Sequence, residues 1–272
     1  MLRTDTHLHS SFSSDSQSPM ESMVKEGVRQ GFQTLCFTEH YDYDYPDNPE
    51  KLDFLLDFDA YYEEFLRLRE KYDRQIELLH GIELGVQPHI GSVLEDFYKT
   101  RGNRFDYIIN SCHIVDGMDP YDDIYFSRFH PKEGLFRYFE TILFNVKAFP
   151  HYQCAGHLDY VARYIPAPRP EFHYRDYSDI LDTLLRHIID AGKGVEVNTA
   201  GLKAGLPWPN PHMEILKRYR ELGGEIITIG SDAHCPKHMG WGYDRLPDIL
   251  KEAGFSYYAV FRDKKPQFIL ID

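Results

Sequence analysis

Two histidines separated by one residue, His7 and His9, lie near the start of the chain in the run THLHS. In an extended strand alternate side chains share a face, so both rings can reach one cation. The same placement recurs downstream: His40 follows TLCFTE, Glu83 follows LLHGI, His113 follows YIINSC, His157 follows CAG, and Asp232 and His234 follow EIITIGS. Chance placement of 14 histidines would not put a metal-competent group near the end of each apolar run. Imidazoles and carboxylates without a thiolate at a matching position suit Zn²⁺, Mn²⁺ or Fe²⁺ better than a structural cysteine site. The candidates outnumber the ligands of one four-coordinate ion. A cluster is therefore expected, with Glu83 able to bridge two ions through its two oxygens; one ion with supporting histidines is the plainer alternative.

The elements that must carry these groups read as repeated strand–helix units, the pattern of a parallel sheet. A first strand ends near Thr6. Further strands are expected at 34–38, 77–82, 107–110, 154–156, 194–197 and 226–229, and helices at 60–72, 135–148, 178–191 and 211–222. Ser18, Pro19 and Glu21 fall in the order of a cap, a first-turn proline and a capping-box carboxylate, which predicts a helix start there. Gly31, Gly192 and Gly223 read as helix stops. Segments 257–261 and 267–271 read as a closing strand pair. Three long connections, 41–58, 114–131 and 159–177, follow strands and are expected to wall a site at the C-terminal face of a barrel.

Bulk composition narrows the classes. A chain of 272 residues with 42% hydrophobic content fits one barrel domain over 1–272. The formal charge of −13 argues against a nucleic-acid binder but leaves small phosphorylated substrates open. Cys36, Cys112, Cys154 and Cys235 are widely spaced, as buried free thiols would be, and no run approaches the length of a membrane span. With no signal-like segment at the start, a cytoplasmic protein is expected. Oligomeric state is not readable.

The motifs THLHSSFSSD at 6–15, FTEH at 37–40, GIELG at 81–85, SCHIVDG at 111–117, GHLD at 156–159, EVNTAG at 196–201 and GSDAH at 230–234 make the chain resemble the polymerase and histidinol phosphatase (PHP) superfamily. The match is strongest to its stand-alone histidinol-phosphatase branch. That resemblance implies a distorted (β/α)7, TIM-like barrel with a three-metal site at the C-terminal strand ends. It assigns His7, His9, Glu83 and Asp232 to a first ion, Glu83, His113 and His157 to a second, and Asp15, His40 and His234 to a third. It also implies hydrolysis of L-histidinol phosphate to L-histidinol and phosphate, within histidine biosynthesis.

Monoester hydrolysis must overcome the repulsion between a dianionic phosphate and incoming hydroxide, and cations that bind both reactants offset it. A metal-activated hydroxide is the expected nucleophile, and Asp232, His234 or His113 the expected helpers of the leaving alkoxide. Arg163 in DYVARY and Lys203 in NTAGLK are candidate phosphate contacts, and Asn198 is placed to orient water or phosphate. Asp42 and Tyr43, in the run YDYDY, are candidates to receive a cationic imidazole by charge and stacking. The same cluster would serve a phosphotyrosine or nucleotide phosphatase. An amidohydrolase would commonly carry a bridging lysine on the fourth strand, where none occurs. A non-catalytic barrel would be expected to lack ligands.

Overall fold

Seven apolar runs pair side by side in the order in which they occur in the chain. In the computed structural model, which describes residues 2–271, they are β1 (Thr4–Leu8), β2 (Thr34–Tyr41), β3 (Glu77–Gly85), β4 (Tyr107–Ser111), β5 (Cys154–Ala155), β6 (Gly194–Asn198) and β7 (Ile227–Gly230). All six neighbouring pairs are parallel. The sheet curls until its edges meet: Thr6 Oγ1 donates to Ile229 O at 2.8 Å, and Leu8 bridges Ala233 beyond β7. Asp5 fastens this seam by accepting from Ser231 N and Oγ at 2.9 and 2.5 Å. The result is the expected distorted (β/α)7 barrel.

Parallel strands need helical crossovers, and the chain supplies α1 (Met20–Gln30), α2 (Phe58–Tyr72), α3 (Gly91–Arg101), α4 (Asp123–Arg128), α5 (Pro131–Ala148), α6 (Ser178–Asp190), α7 (Ala200–Lys203), α8 (Met213–Glu221) and α9 (Leu246–Glu252). Their apolar faces bury against the barrel; Met23, Val24, Leu184 and Leu185, for example, are fully enclosed. No helix among the described residues is long and apolar enough to cross a membrane.

Four local features differ from the sequence reading. Pro19 itself is the cap of α1, with no side-chain capping bond; Ser18 does not cap, and Glu21 instead meets Lys71, Tyr72 and Lys25. Helices α3, α4, α7 and α9 were not anticipated: α3 opens at Ile90–Gly91 without a capping side chain and buries only Leu94 and Phe97, and α4, α7 and α9 span only six, four and seven residues. Strands β2 and β3 run farther than expected, so His40 and Glu83 lie inside them as register partners. The tail, β8 (Tyr257–Arg262) and β9 (Lys265–Leu270), forms its own antiparallel pair rather than joining the barrel sheet. Phe261 stacks on Tyr107, and Lys264 N donates to Asp106 O at 2.9 Å. Those contacts lie at the start of β4, so the hairpin covers the mouth opposite the ligand-bearing ends.

Candidate metal centre and active site

Each expected ligand reaches the centre because a strand end or the turn after it carries it there. Between Asp5 and Leu8, β1 spends three residues where β2 spends two. This bulge lies at His7, and bulges of this kind re-aim side chains beside active sites. His7 Nε2 and His9 Nε2 consequently lie 3.0 Å apart. Asp232 follows β7 with a left-handed φ of 54°, unusual for a residue with a side chain, and its N–H donates to His7 O at 2.9 Å. Potential ligand atoms of His7, His9 and Asp232 all lie within 4.8 Å of one another.

Glu83 is the hub. Its Oε2 lies 3.1 Å from His7 Nε2 and 3.4 Å from His9 Nε2, while its Oε1 lies 2.9 Å from His157 Nε2 and 3.3 Å from His113 Nε2. Glu83, His113 and His157 form a second compact group. Toward the solvent side, Asp15 Oδ2 stands 3.0 Å from His234 Nε2 and 3.7 Å from His40 Nε2. His9 stacks between His40 and His234, with ring centroids 4.2 and 4.1 Å away. All nine residues expected as ligands thus converge.

Whether cations suit this cluster can be tested on its polar atoms. Buried His40 Nδ1, Glu83 Oε2 and His157 Nδ1 have no hydrogen-bond partner, although buried polar atoms are normally satisfied. Facing lone pairs on imidazoles and carboxylates, with no thiolate among them, are what divalent transition metals coordinate. The residues fit. Electrostatics agree: burial opposes charge on His113, yet Asp42 and Glu83 outweigh it and raise its pKa to about 10. Burial opposes the Glu83 carboxylate too, but His7, His113 and His40 hold its pKa well below the usual value. A bound cation would take the place of the protons that this negative charge otherwise draws.

The imidazoles are held from behind. His7 Nδ1 donates to Glu196 Oε1 at 2.5 Å, fixing Nε2 as the face turned toward the cluster. Ser13 Oγ donates to Glu39 Oε2 at 2.6 Å and so accepts from His9 Nδ1 at 3.0 Å. Glu196 and Glu39 were not singled out from the sequence, though both lie in its motifs: an acidic residue two positions before Asn198 or one before His40 was the available signal.

A cavity of about 420 Å³ opens above the cluster, and each of the three long connections lines it. Tyr45, Glu50 and Phe54 come from the first, Asp119, Tyr121 and Asp122 from the second, and Tyr160, Arg163 and Tyr164 from the third. Lys203 lies on the rim. Arg163 is buried and stacked over Tyr160; it donates to Asn210 Oδ1 at 2.7 Å, Asn198 Oδ1 at 3.0 Å and Asp232 Oδ2 at 3.1 Å. Three of its five N–H groups are engaged, leaving two for a ligand.

Other expected contacts are placed differently. Asn198 is fully buried behind the cavity, where Oδ1 accepts from Arg163 and Ala200 N while Nδ2 approaches Glu196 and Asp232. It braces Arg163 and Asp232 instead of reaching the cavity. Asp42 borders the cavity but is 2% exposed, with Oδ1 accepting from His113 Nδ1 at 2.6 Å, so it is not a loop charge free to meet an imidazole. Tyr43 faces away, and its carbonyl accepts from Gln87 Nε2. Asp119, absent from the sequence reading, holds the wall together by accepting from Tyr45 and from Tyr121 N.

Comparison with known proteins agrees with this geometry. The PHP domain family model matches residues 5–200. A Clostridium acetobutylicum protein named as a probable histidinol-phosphatase is 33% identical over 263 residues, covering 96% of this chain and 97% of its own. The histidinol-phosphatase of Lactococcus lactis is 32% identical over 266 residues, covering 97% and 96%. A crystal structure of the Lactococcus lactis histidinol phosphate phosphatase, complexed with zinc, L-histidinol and phosphate, superposes with a TM-score of 0.87 at 29% identity, covering 98% of this chain and 100% of that one. A chain whose sequence matches the family model over most of its length, and whose metal-competent histidines and carboxylates converge on one centre, belongs to the PHP domain family.

Proposed function

We propose that the protein is a metal-dependent phosphomonoesterase that hydrolyses L-histidinol phosphate to L-histidinol and phosphate. The observation that carries this reading is a cavity with a metal-competent floor and an acidic, aromatic wall. The floor suits a phosphate. Glu50, Asp119 and Asp122, with Tyr45, Tyr121, Tyr160 and Tyr164, suit the amine and imidazole of histidinol. The same carboxylates would repel the further phosphates of a nucleotide.

His7, His9, Glu83 and Asp232 would hold one ion, Glu83, His113 and His157 a second, and Asp15, His40 and His234 a third, of zinc, manganese or iron. Bound there, divalent metals activate water as a nucleophile and offset the charge on phosphate. The free N–H groups of Arg163 meet a phosphate oxygen, and the bonds to Asn210 and Asn198 keep the guanidinium from swinging away. Lys203 adds a positive charge at the rim. Asp232, His234 and His113 border the cavity and hold the water that protonates the leaving alkoxide. Glu196 and Glu39 keep His7 and His9 in the ligand-competent tautomer. Four free cysteines accord with a reducing compartment such as the cytoplasm.

The test is kcat/KM on a phosphomonoester panel containing L-histidinol phosphate, phosphotyrosine and a nucleoside monophosphate. Recognition by buried polar groups predicts a preference for histidinol phosphate of at least about a hundredfold. Equal rates across the panel would contradict the substrate assignment and leave only a general phosphatase.

A further inference from the structure

Asp42 stands directly after β2 and beside the last residue of β3, since Tyr41 pairs with Leu84 and the next pair of positions is Asp42 and Gly85. Its carboxylate is enclosed at 2% exposure, between two imidazoles assigned to different ions. One oxygen, Oδ1, accepts from His113 Nδ1 at 2.6 Å. The other, Oδ2, has no hydrogen-bond partner; it lies 3.7 Å from His40 Nδ1, which stands closer, at 3.1 Å, to Glu83 Oε2. The opposite nitrogen of His113, Nε2, faces the cluster at 3.3 Å from Glu83 Oε1.

We propose that Asp42 is a positioning residue for the second ion, its Oδ1 holding His113 through the Nδ1–H group. An imidazole that coordinates through Nε2 carries its proton on Nδ1, and an acceptor for that proton fixes both tautomer and ring direction. Without Asp42, the Nδ1–H of His113 is buried and unpaired, and a ring that serves the second ion is free to turn. Asp42 also stands with His40 and His113 in a group whose ligand atoms lie within 4.8 Å of one another, but the bond at Oδ1 engages it as the acceptor of the His113 proton.

Gly85 makes this position possible. A Cβ on residue 85 would overlap Oδ1 and Cγ of Asp42, far inside van der Waals contact. The carboxylate cannot easily step aside, because Asp42 N is tied to Phe54 O at 3.0 Å. In GIELG the last glycine therefore leaves room for a carboxylate from the neighbouring strand end, as Glu83 two residues earlier supplies the bridge.

The inference rests on the three-ion reading, and one experiment separates the two. Zn²⁺ alone is titrated into metal-stripped full-length protein by chelator competition, giving an affinity for each equivalent. Asp42→Asn replaces the charged acceptor of His113 by a neutral amide, and is expected to weaken one equivalent by roughly 10–100-fold while the other two are unchanged. Gly85→Ala, which displaces Asp42 without altering it, is expected to weaken the same one. Asp44→Asn, on the same loop but exposed and paired only with His89, should leave all three unchanged. Unequal loss across the equivalents is the mark of positioning, since general loosening would weaken all alike. Three wild-type affinities in both Asp42→Asn and Gly85→Ala, or equal weakening of all three equivalents, would overturn the role of Asp42. Fewer than three equivalents in the unaltered protein would overturn the three-ion reading and the inference with it. Should Asp42→Asn fail to fold, Gly85→Ala decides.

Discussion

Glu196→Gln is isosteric, yet three donors surround the carboxylate: His7 Nδ1 at 2.5 Å from Oε1, and His157 N and Asn198 Nδ2 at 3.0 and 3.2 Å from Oε2. A glutamine offers one acceptor oxygen and one donor amide. If its oxygen faces His7, the amide meets His157 N–H and Asn198; if it is flipped, the amide meets His7 Nδ1–H. Either way one buried donor opposes another. Residue 230 adds no room to adjust, since Gly230 already packs against His7 and Glu196. Hydrogen bonds to a charged partner contribute about 1.5–3 kcal/mol, and about 1.4 kcal/mol is a tenfold change, so the ion held by His7 should weaken about 10–100-fold. Zinc affinity by chelator competition, together with kcat at saturating metal, is the assay. Wild-type affinity for every zinc equivalent would refute the claim that Glu196 sets the tautomer of His7.

Glu83→Gln should weaken two ions at once, because the carboxylate faces both His7 and His9 on one side and His113 and His157 on the other; full metal content with retained activity would show that it does not bridge. Arg163→Lys replaces a fork by a point charge and leaves Asn198 or Asn210 without its partner, so kcat/KM should fall by about 10²–10⁴ for two lost charge-assisted bonds; a change below about threefold would remove Arg163 from phosphate binding. His80, buried among Tyr61, Phe65 and Phe105, has its pKa pushed from 6.5 down to about 4, chiefly by burial. The folded chain thus binds fewer protons there than the unfolded one. Its contribution is present above pH 6.5 and is lost as pH falls toward 4, by up to about 3 kcal/mol. Urea unfolding at several pH values should show this slope in the unaltered protein and a shallower one in His80→Phe; equal slopes would contradict it.

Strand ends were the legible part of this sequence, because an apolar run followed by histidine or acid carries both the periodicity of the element and the chemistry it delivers. The barrel order and the convergence of His7, His9, His40, Glu83, His113, His157, Asp232 and His234 follow from that repetition. Residues that act through a ligand were not legible. Glu39 and Glu196 look like ordinary acids in sequence and Asp42 like a loop charge open to substrate, whereas their contacts depend on which strand lies next to which and on the hollow left by Gly85. Asn198 carried a cavity-facing expectation because it ends β6, but its amide is closed in by Arg163 and Asp232 from two other loops. Helix α3 escaped notice since its two buried residues leave almost no apolar stripe to read, and α4, α7 and α9 since six, four and seven residues are too short to show a helical period.

Turnover of L-histidinol phosphate by the same protein before and after removal of metal tests the central claim most directly. Protein stripped by chelator should lose activity to background, and stoichiometric Zn²⁺ or Mn²⁺ should restore it. Full turnover by protein shown to hold no transition metal would contradict the account.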